Sequence, residues 1–153
     1  MTDRTRLRFV TEVVGLSAVI ASLGFVGMEI RQNTAAVRSA TTQAVSDQAM
    51  ELTLTIATDE HLPRLVSEMQ NGLTRSEFDP QDYYRLRLVV IAGLRRQENL
   101  YAQVRSGVLD PAALRNVSFS FYQNSYVREL WAEIRDTFNP EFTRYWDEIV
   151  AEP

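Results

Sequence analysis

The sixteen residues from Val13 to Met28, VVGLSAVIASLGFVGM, contain no charged side chain and decide the class of fold. The apolar residues Phe9, Val10 and Ile30 extend this stretch to 22 residues. At a rise of about 1.5 Å per residue, an α-helix of that length measures ~33 Å, close to the ~30 Å hydrocarbon core of a bilayer. The sequence therefore predicts a membrane-spanning helix near the N-terminus.

Two other interpretations of this stretch are open at the level of sequence. A buried helix of a soluble bundle would also be apolar, but this stretch is apolar on all sides, and a chain of 153 residues offers little protein to surround it. A cleaved signal peptide would explain the basic residues Arg4, Arg6 and Arg8 that come first, but no Ala-x-Ala-like site follows the apolar run. An uncleaved signal anchor is the expectation.

Small residues recur along the predicted span at spacings that place them on one side of a helix. Together with the two ends of the uncharged stretch, the residues expected to form the span and its packing surface are Val13, Ser17, Ala18, Ala21, Ser22, Gly24 and Met28. Small residues at such spacings let two membrane helices approach closely. The pattern predicts packing on another membrane helix, from a second copy or from a larger complex.

Charged and polar residues flank the span. Glu12 lies one turn inside its start, where either Arg8 or the headgroup region is expected to accommodate it. Three arginines precede the span and two follow it, which favours a cytoplasmic N-terminus and an exported C-terminal domain. The residues directly after the span, Glu29, Arg31 and Asn33, are expected to form a polar collar where the helix meets water. Contact with lipid headgroups or a partner subunit is the alternative.

Capping and proline signals divide the rest of the chain into helices. No Gly or Pro lies between Met28 and Leu62, so one helix is expected to continue from the span to about Thr58 as a stalk. Further helices are predicted from start signals at Asp59, Pro80, Asp110–Pro111, Ser125 and Asn139–Pro140. The helix from Pro80 is expected to run to Arg105 at the centre of the bundle.

The predicted fold is all-α, because no useful length of the chain alternates with the period of two that a strand needs. Residues 1–30 are predicted to be an N-terminal tail and membrane-spanning helix. Residues 31–153 are predicted to be a stalk helix and a small α-helical bundle domain.

Composition excludes several classes of function. A formal net charge of −4 argues against a general nucleic-acid binder, which needs a basic face. The chain has no cysteine, and His61 is its one histidine, so thiolate and multi-histidine metal sites are excluded. Acidic residues near His61 are expected to stabilise a helix N-terminus rather than complete a site. We therefore predict no metal, no cofactor and no enzymatic activity.

Four polar residues, Arg95, Arg96, Glu98 and Asn99, lie beside the apolar run of the predicted central helix. Those that face inward must be paired, because an unpaired buried charge is costly. The preferred interpretation is a network of salt bridges and hydrogen bonds that ties the central helix to the stalk. The alternative is a polar site inside the bundle that holds an anionic ligand.

Three strings carry a resemblance to a group of known proteins: VGMEIRQNTAAVRSATTQ at Val26–Gln43, RRQENLYAQVRSGVLD at Arg95–Asp110 and NPEFTRYW at Asn139–Trp146. The chain resembles an uncharacterised group of single-pass bacterial membrane proteins, whose N-terminal span runs into an EIRQNT-like string. The resemblance implies a bacterial source and a membrane location, and it implies no activity. For a bacterial chain with one span, the inner membrane is the expected location. The segment PAALRNVSF at Pro111–Phe119 departs from the group, where a tryptophan is expected.

The function expected from these features is that of a non-enzymatic, membrane-anchored interaction protein. It would associate with itself or serve as an accessory or assembly subunit of a larger membrane complex in the lipid bilayer. The alternative is a membrane-tethered domain that binds or senses a small molecule, with Arg95, Arg96 or Glu98 as its polar contacts.

Overall fold

The computed structural model describes the backbone of residues 3–115 and 119–151 and the side chains of residues 8–114 and 121–149. Within these ranges the chain is helical and contains no strand, so the predicted all-α class is confirmed. The α-helices are α1 (Asp3–Thr58), α2 (Leu62–Gln70), α3 (Pro80–Arg105), α4 (Ala112–Arg115), α5 (Ser125–Ile134) and α6 (Pro140–Ala151). Residues 116–118, in the segment where a tryptophan was expected, lie outside the described ones.

Two compact units make up the chain, Met1–Ala40 and Thr41–Pro153. The first unit is the N-terminal part of α1. Its described side chains are all exposed, including those of the uncharged stretch. Of the two groups expected to accommodate Glu12, Arg8 lies beside it, with Arg8 Nε 3.3 Å from Glu12 Oε1. The side chains of Arg4 and Arg6 are not among the described ones.

The second unit has an apolar core built around α3, as expected. Leu86, Val90 and Leu94 on α3 are fully buried, and they belong to one core cluster with residues of α2, α5 and α6. Six of the fifteen buried residues in that cluster are aromatic. Among them, Trp131 packs at an angle to Trp146, with ring centroids 6.3 Å apart. The aromatic residues of the C-terminal third are therefore mainly core residues.

Local sequence signals explain where the helices of the second unit begin and end. Asp79 caps α3 by accepting hydrogen bonds from the backbone N–H groups of Gln81 and Asp82, and Pro80 takes the first helical position. Gly107 lies just past the end of α3 with a φ of +74°, a conformation that favours glycine. The predicted bounds of this helix are confirmed.

The last part of α1 belongs to the second unit and packs through one stripe. The half-buried positions of this segment follow each other at intervals of three and four residues, namely Thr41, Val45, Ala49, Leu52 and Ile56. Such spacing places one side of a helix against its neighbours. Ile56 packs against the core cluster, and the remaining residues of the segment stay exposed.

Candidate functional site

The concave surface of greatest interest lies in the second unit, between the end of α1 and the middle of α3. It has a volume of about 480 Å³ and is open to solvent along one side. Its lining residues are Gln48, Glu51, Leu52 and Thr55 from α1, and Ala92, Arg95, Arg96 and Asn99 from α3. We call this surface the α1–α3 groove. Three of the four polar residues singled out in the sequence line it.

The fourth of those residues, Glu98, points to a different part of the bundle. Its Oε1 accepts a hydrogen bond of 2.6 Å from the backbone N–H of Asn139, directly before α6. Its Oε2 accepts one of 2.8 Å from Arg95 Nη1. Glu98 therefore satisfies a backbone donor at the N-terminus of α6, where a negative charge is also favoured by the helix dipole.

Arg95 completes this junction between α3 and the start of α6. Its Nη2 donates to the backbone carbonyl of Thr137 at 3.1 Å and to the Thr137 hydroxyl at 3.2 Å. Its guanidinium carbon lies 3.8 Å from the centre of the Phe138 ring, within the range of a cation–π contact. The charge of Arg95 is thus used inside the fold, although its side chain also lines the groove.

Arg96 differs from the other half-buried arginines. Among the described side chains, Arg85, Arg87, Arg96 and Arg135 are half-buried. Three of these pair with carboxylates, on Asp82, Glu133 and Asp147 respectively. No carboxylate in the described part of the chain pairs with Arg96, and its buried Nε has no hydrogen-bond partner there.

Tyr122 lies beside Arg96 and connects it to the core. Burial raises the pKa of the Tyr122 hydroxyl, while Gln97 and Arg96 act to lower it through hydrogen bonding and charge. Gly93 provides the space for this hydroxyl, because a Cβ built at Gly93 would lie 2.7 Å from Tyr122 Oη. The sequence pattern alone does not predict this contact. Its one signal was a glycine inside an apolar helical run, which often marks close packing.

Two further clusters of charge hold the bundle together. Asp82 accepts hydrogen bonds from Arg64 at 2.7 Å and from Arg85 at 3.2 Å, and the Arg64 guanidinium holds its pKa below the ordinary value. Burial acts to raise the pKa of Glu133, but Arg75 and Arg87 outweigh it, and the pKa is lowered. Each of these two carboxylates is thus paired with two arginines.

His61 precedes α2 and is half-buried. Nearby, Asp59 accepts hydrogen bonds from the backbone N–H groups of His61 and Leu62 at 2.8 and 2.9 Å. In the described ranges, no group of three His, Asp or Glu side chains is placed to hold a metal ion. The acidic residue beside His61 thus serves the start of the helix.

In the first unit, the residues predicted for the span and its packing surface lie uncovered along α1. Every one of Val13, Ser17, Ala18, Ala21, Ser22, Gly24 and Met28 is exposed. A Cβ added at Gly24 would meet nothing within 4 Å. The residues after the span, Glu29, Arg31 and Asn33, are exposed as well. The surface predicted for packing is therefore free to take a neighbour in the described structure.

The fold and these surfaces define a class: an all-α chain with a small helical bundle and an uncovered apolar helix. Within the described residues, α1 is the one helix long and apolar enough to cross a membrane. No protein-family model, curated protein or solved structure matches the chain. Functional conclusions therefore rest on the chemistry of the residues themselves.

Proposed function

We propose that this chain is a non-enzymatic interaction protein, anchored by α1 in the inner membrane of a bacterium. In this proposal the apolar segment of α1 crosses the bilayer once. The helical domain stands in water and meets a second copy or the other subunits of a membrane complex. The resemblance to single-pass bacterial membrane proteins supports the choice of membrane.

The observation that carries the proposal is the exposure of large apolar side chains all around α1. Twelve of them between Phe9 and Ile30 are 46–67% exposed. Covering each such side chain is worth on the order of 1–2 kcal/mol, so leaving the whole set in water would be very unfavourable. Lipid covers a helix on all sides at once, which matches the absence of a polar face along this segment.

The same segment supports self-association or assembly. Ser17, Ala21 and Gly24 leave a row without large side chains along a helix that is otherwise lined by Val, Leu and Phe. In lipid, such a row permits close backbone approach, and the van der Waals contacts made there drive helix pairing. A matching row on a second copy of the chain is the simplest partner.

Charge supports an orientation with the N-terminus in the cytoplasm. Arginines 4, 6 and 8 precede the span, whereas Arg31 and Arg38 follow it. Positive charge near the ends of a span is retained on the cytoplasmic side. The helical domain then lies on the exported side.

A charge in the middle of the span tests the anchoring. We expect the full-length protein to sediment with membranes and to resist extraction at alkaline pH. Val19→Arg should shift it to the soluble or aggregated fraction, because an arginine at the centre of a span costs roughly 2.5–3.5 kcal/mol on insertion. Ser67→Arg, on an exposed position of α2, is the control and should stay in the membrane. A wild-type chain that remains soluble without detergent contradicts the proposal.

The size of the detergent-solubilised protein tests the association. The molar mass measured by light scattering should correspond to a dimer or a larger species for the wild type. Gly24→Leu should lower this mass, because a leucine holds the helices apart. Val26→Leu adds bulk outside the small-residue row and is the control. The interaction hypothesis fails for a wild-type monomer that retains no other protein during mild extraction.

A further inference from the structure

We propose that the α1–α3 groove binds a small zwitterion, a molecule that carries both a carboxylate and an ammonium group, such as an amino acid or a short peptide. This inference goes beyond anchoring and assembly, and it concerns the second unit alone. It also names a class of ligand for the small-molecule-binding domain that was the alternative interpretation of the sequence.

Arg96 is the group that would hold the carboxylate. Its side chain is half-buried and lines the groove, yet it has no acidic partner among the described side chains. The three other half-buried arginines each have one. Since removing a guanidinium from water without pairing its charge is unfavourable, a carboxylate bound here supplies a compensation that the fold leaves out.

Glu51 is the group that would hold the ammonium. It lies on the α1 wall of the groove, while Arg96 lies on the α3 wall. Within the described ranges, Glu51 makes no ion pair, either with Arg96 or with another residue. Two opposite charges that face one groove and do not pair with each other fit a ligand with a charge of each sign.

The rest of the groove suits the uncharged part of such a ligand. Leu52 and Ala92 provide apolar surface, and Gln48, Thr55 and Asn99 provide neutral donors and acceptors. A volume of about 480 Å³ falls in the range of small-molecule sites. The remaining space is enough for the side chain of an amino acid or for a second residue.

A second concave surface of the same unit differs from the α1–α3 groove, because its opposite charges pair with each other. The cleft of about 560 Å³ near the end of α3 is lined by Arg105 and Glu141 among others. Those two residues pair with each other, with Arg105 Nε 3.7 Å from Glu141 Oε2. Because Arg105 and Glu141 neutralise each other, this cleft gives no reason to infer a charged ligand.

Thermal unfolding of the full-length protein in detergent, followed by tryptophan fluorescence, tests the proposal. The twenty standard amino acids are added one at a time, and at least one should raise the midpoint in proportion to the logarithm of its concentration. For that amino acid, the amine that lacks its carboxylate and the acid that lacks its ammonium are compared. We expect each analogue to bind about tenfold more weakly or worse.

Two variants test which residue binds each charged group of the ligand. Arg96→Gln should abolish the preference for the amino acid over the amine, and Glu51→Gln should abolish its preference over the acid. Arg144→Gln and Glu60→Gln, which change exposed residues outside the groove, should bind as the wild type does. The analogue comparison needs no variant, so it decides the matter even if Arg96→Gln does not fold.

Three results overturn the proposal. The first is that no amino acid changes the unfolding midpoint. The second is that the acid binds as tightly as the amino acid, which would indicate an anion site without a role for Glu51. The third is equal binding by the wild type and the two groove variants. None of these depends on membrane partition, so the groove and the anchor are tested separately.

Discussion

At the scale of single residues, Gly93 decides how closely α3 meets Tyr122. The Tyr122 hydroxyl occupies the space where a side chain at position 93 would begin, and Tyr122 is only 5% exposed. Because the phenol ring is rigid and surrounded by core, it has little freedom to move aside. A glycine in a helix normally costs stability, so its presence here is explained by this contact.

Gly93→Ala should destabilise the protein by about 1–2 kcal/mol, because the overpacking cost of roughly 1–3 kcal/mol exceeds the gain in helix propensity. In a Tyr122→Phe background the same change should be neutral or stabilising by up to about 1 kcal/mol, since the clashing oxygen is gone. Chemical denaturation of the four proteins gives the interaction energy. Equal costs of Gly93→Ala in both backgrounds would show that the hydroxyl is not the cause.

At the scale of elements, two side chains of α3 join this helix to the segment at the start of α6. Glu98 binds the backbone N–H of Asn139, which is 41 residues away in sequence, and Arg95 reaches Thr137 at a separation of 42. The sequence indicated that these α3 residues are paired, but it placed their partners on the stalk. The partners lie instead at the junction of α5 and α6, since chain packing rather than sequence spacing brings that junction to α3.

Glu98→Ala should lower the free energy of unfolding by about 1 kcal/mol, the typical cost of losing a helix cap. The loss should be local, with faster hydrogen exchange at the backbone amides of Asn139 and Glu141. Glu148→Ala, an exposed position on α6, is the control. If both variants behave alike, the contact of Glu98 with Asn139 does not stabilise the helix start.

At the scale of the whole molecule, arginine–carboxylate clusters make the bundle sensitive to acid. The hydrogen bond from Arg64 lowers the pKa of Asp82 below its ordinary value of 3.8. Backbone and side-chain hydrogen bonds with Thr74 likewise lower the pKa of Glu77. A carboxylate with a depressed pKa in the folded state contributes stability above its unfolded pKa, and it loses that contribution as the pH falls through the folded pKa.

The free energy of unfolding should therefore decrease as the pH falls below about 4. Asp82→Asn should be less stable than the wild type at neutral pH, and this difference should shrink in acid, because a protonated aspartate resembles asparagine. Asp47→Asn, on an exposed position of α1, should differ little at any pH. A difference between Asp82→Asn and the wild type that stays constant with pH would exclude the ion pairs as its source.

What the sequence alone determined is the local part of this protein. The uncharged stretch from Val13 to Met28, the start of α3 at Asp79 and Pro80, and its end before Gly107 are signals read within a few residues. They specify helix by capping, by fixed backbone angles and by the even distribution of apolar residues. They were sufficient to predict the all-α class and a helix apolar enough to span a bilayer.

What only the tertiary structure decided is which polar groups are satisfied. Arg95, Arg96 and Glu98 are similar polar residues in the sequence, yet Arg95 and Glu98 are bound to the segment at the start of α6. Arg96 instead lines the α1–α3 groove and pairs with no carboxylate among the described side chains. Pairing depends on distances of a few ångströms between segments some forty residues apart, which the packing of the helices sets and no local pattern encodes.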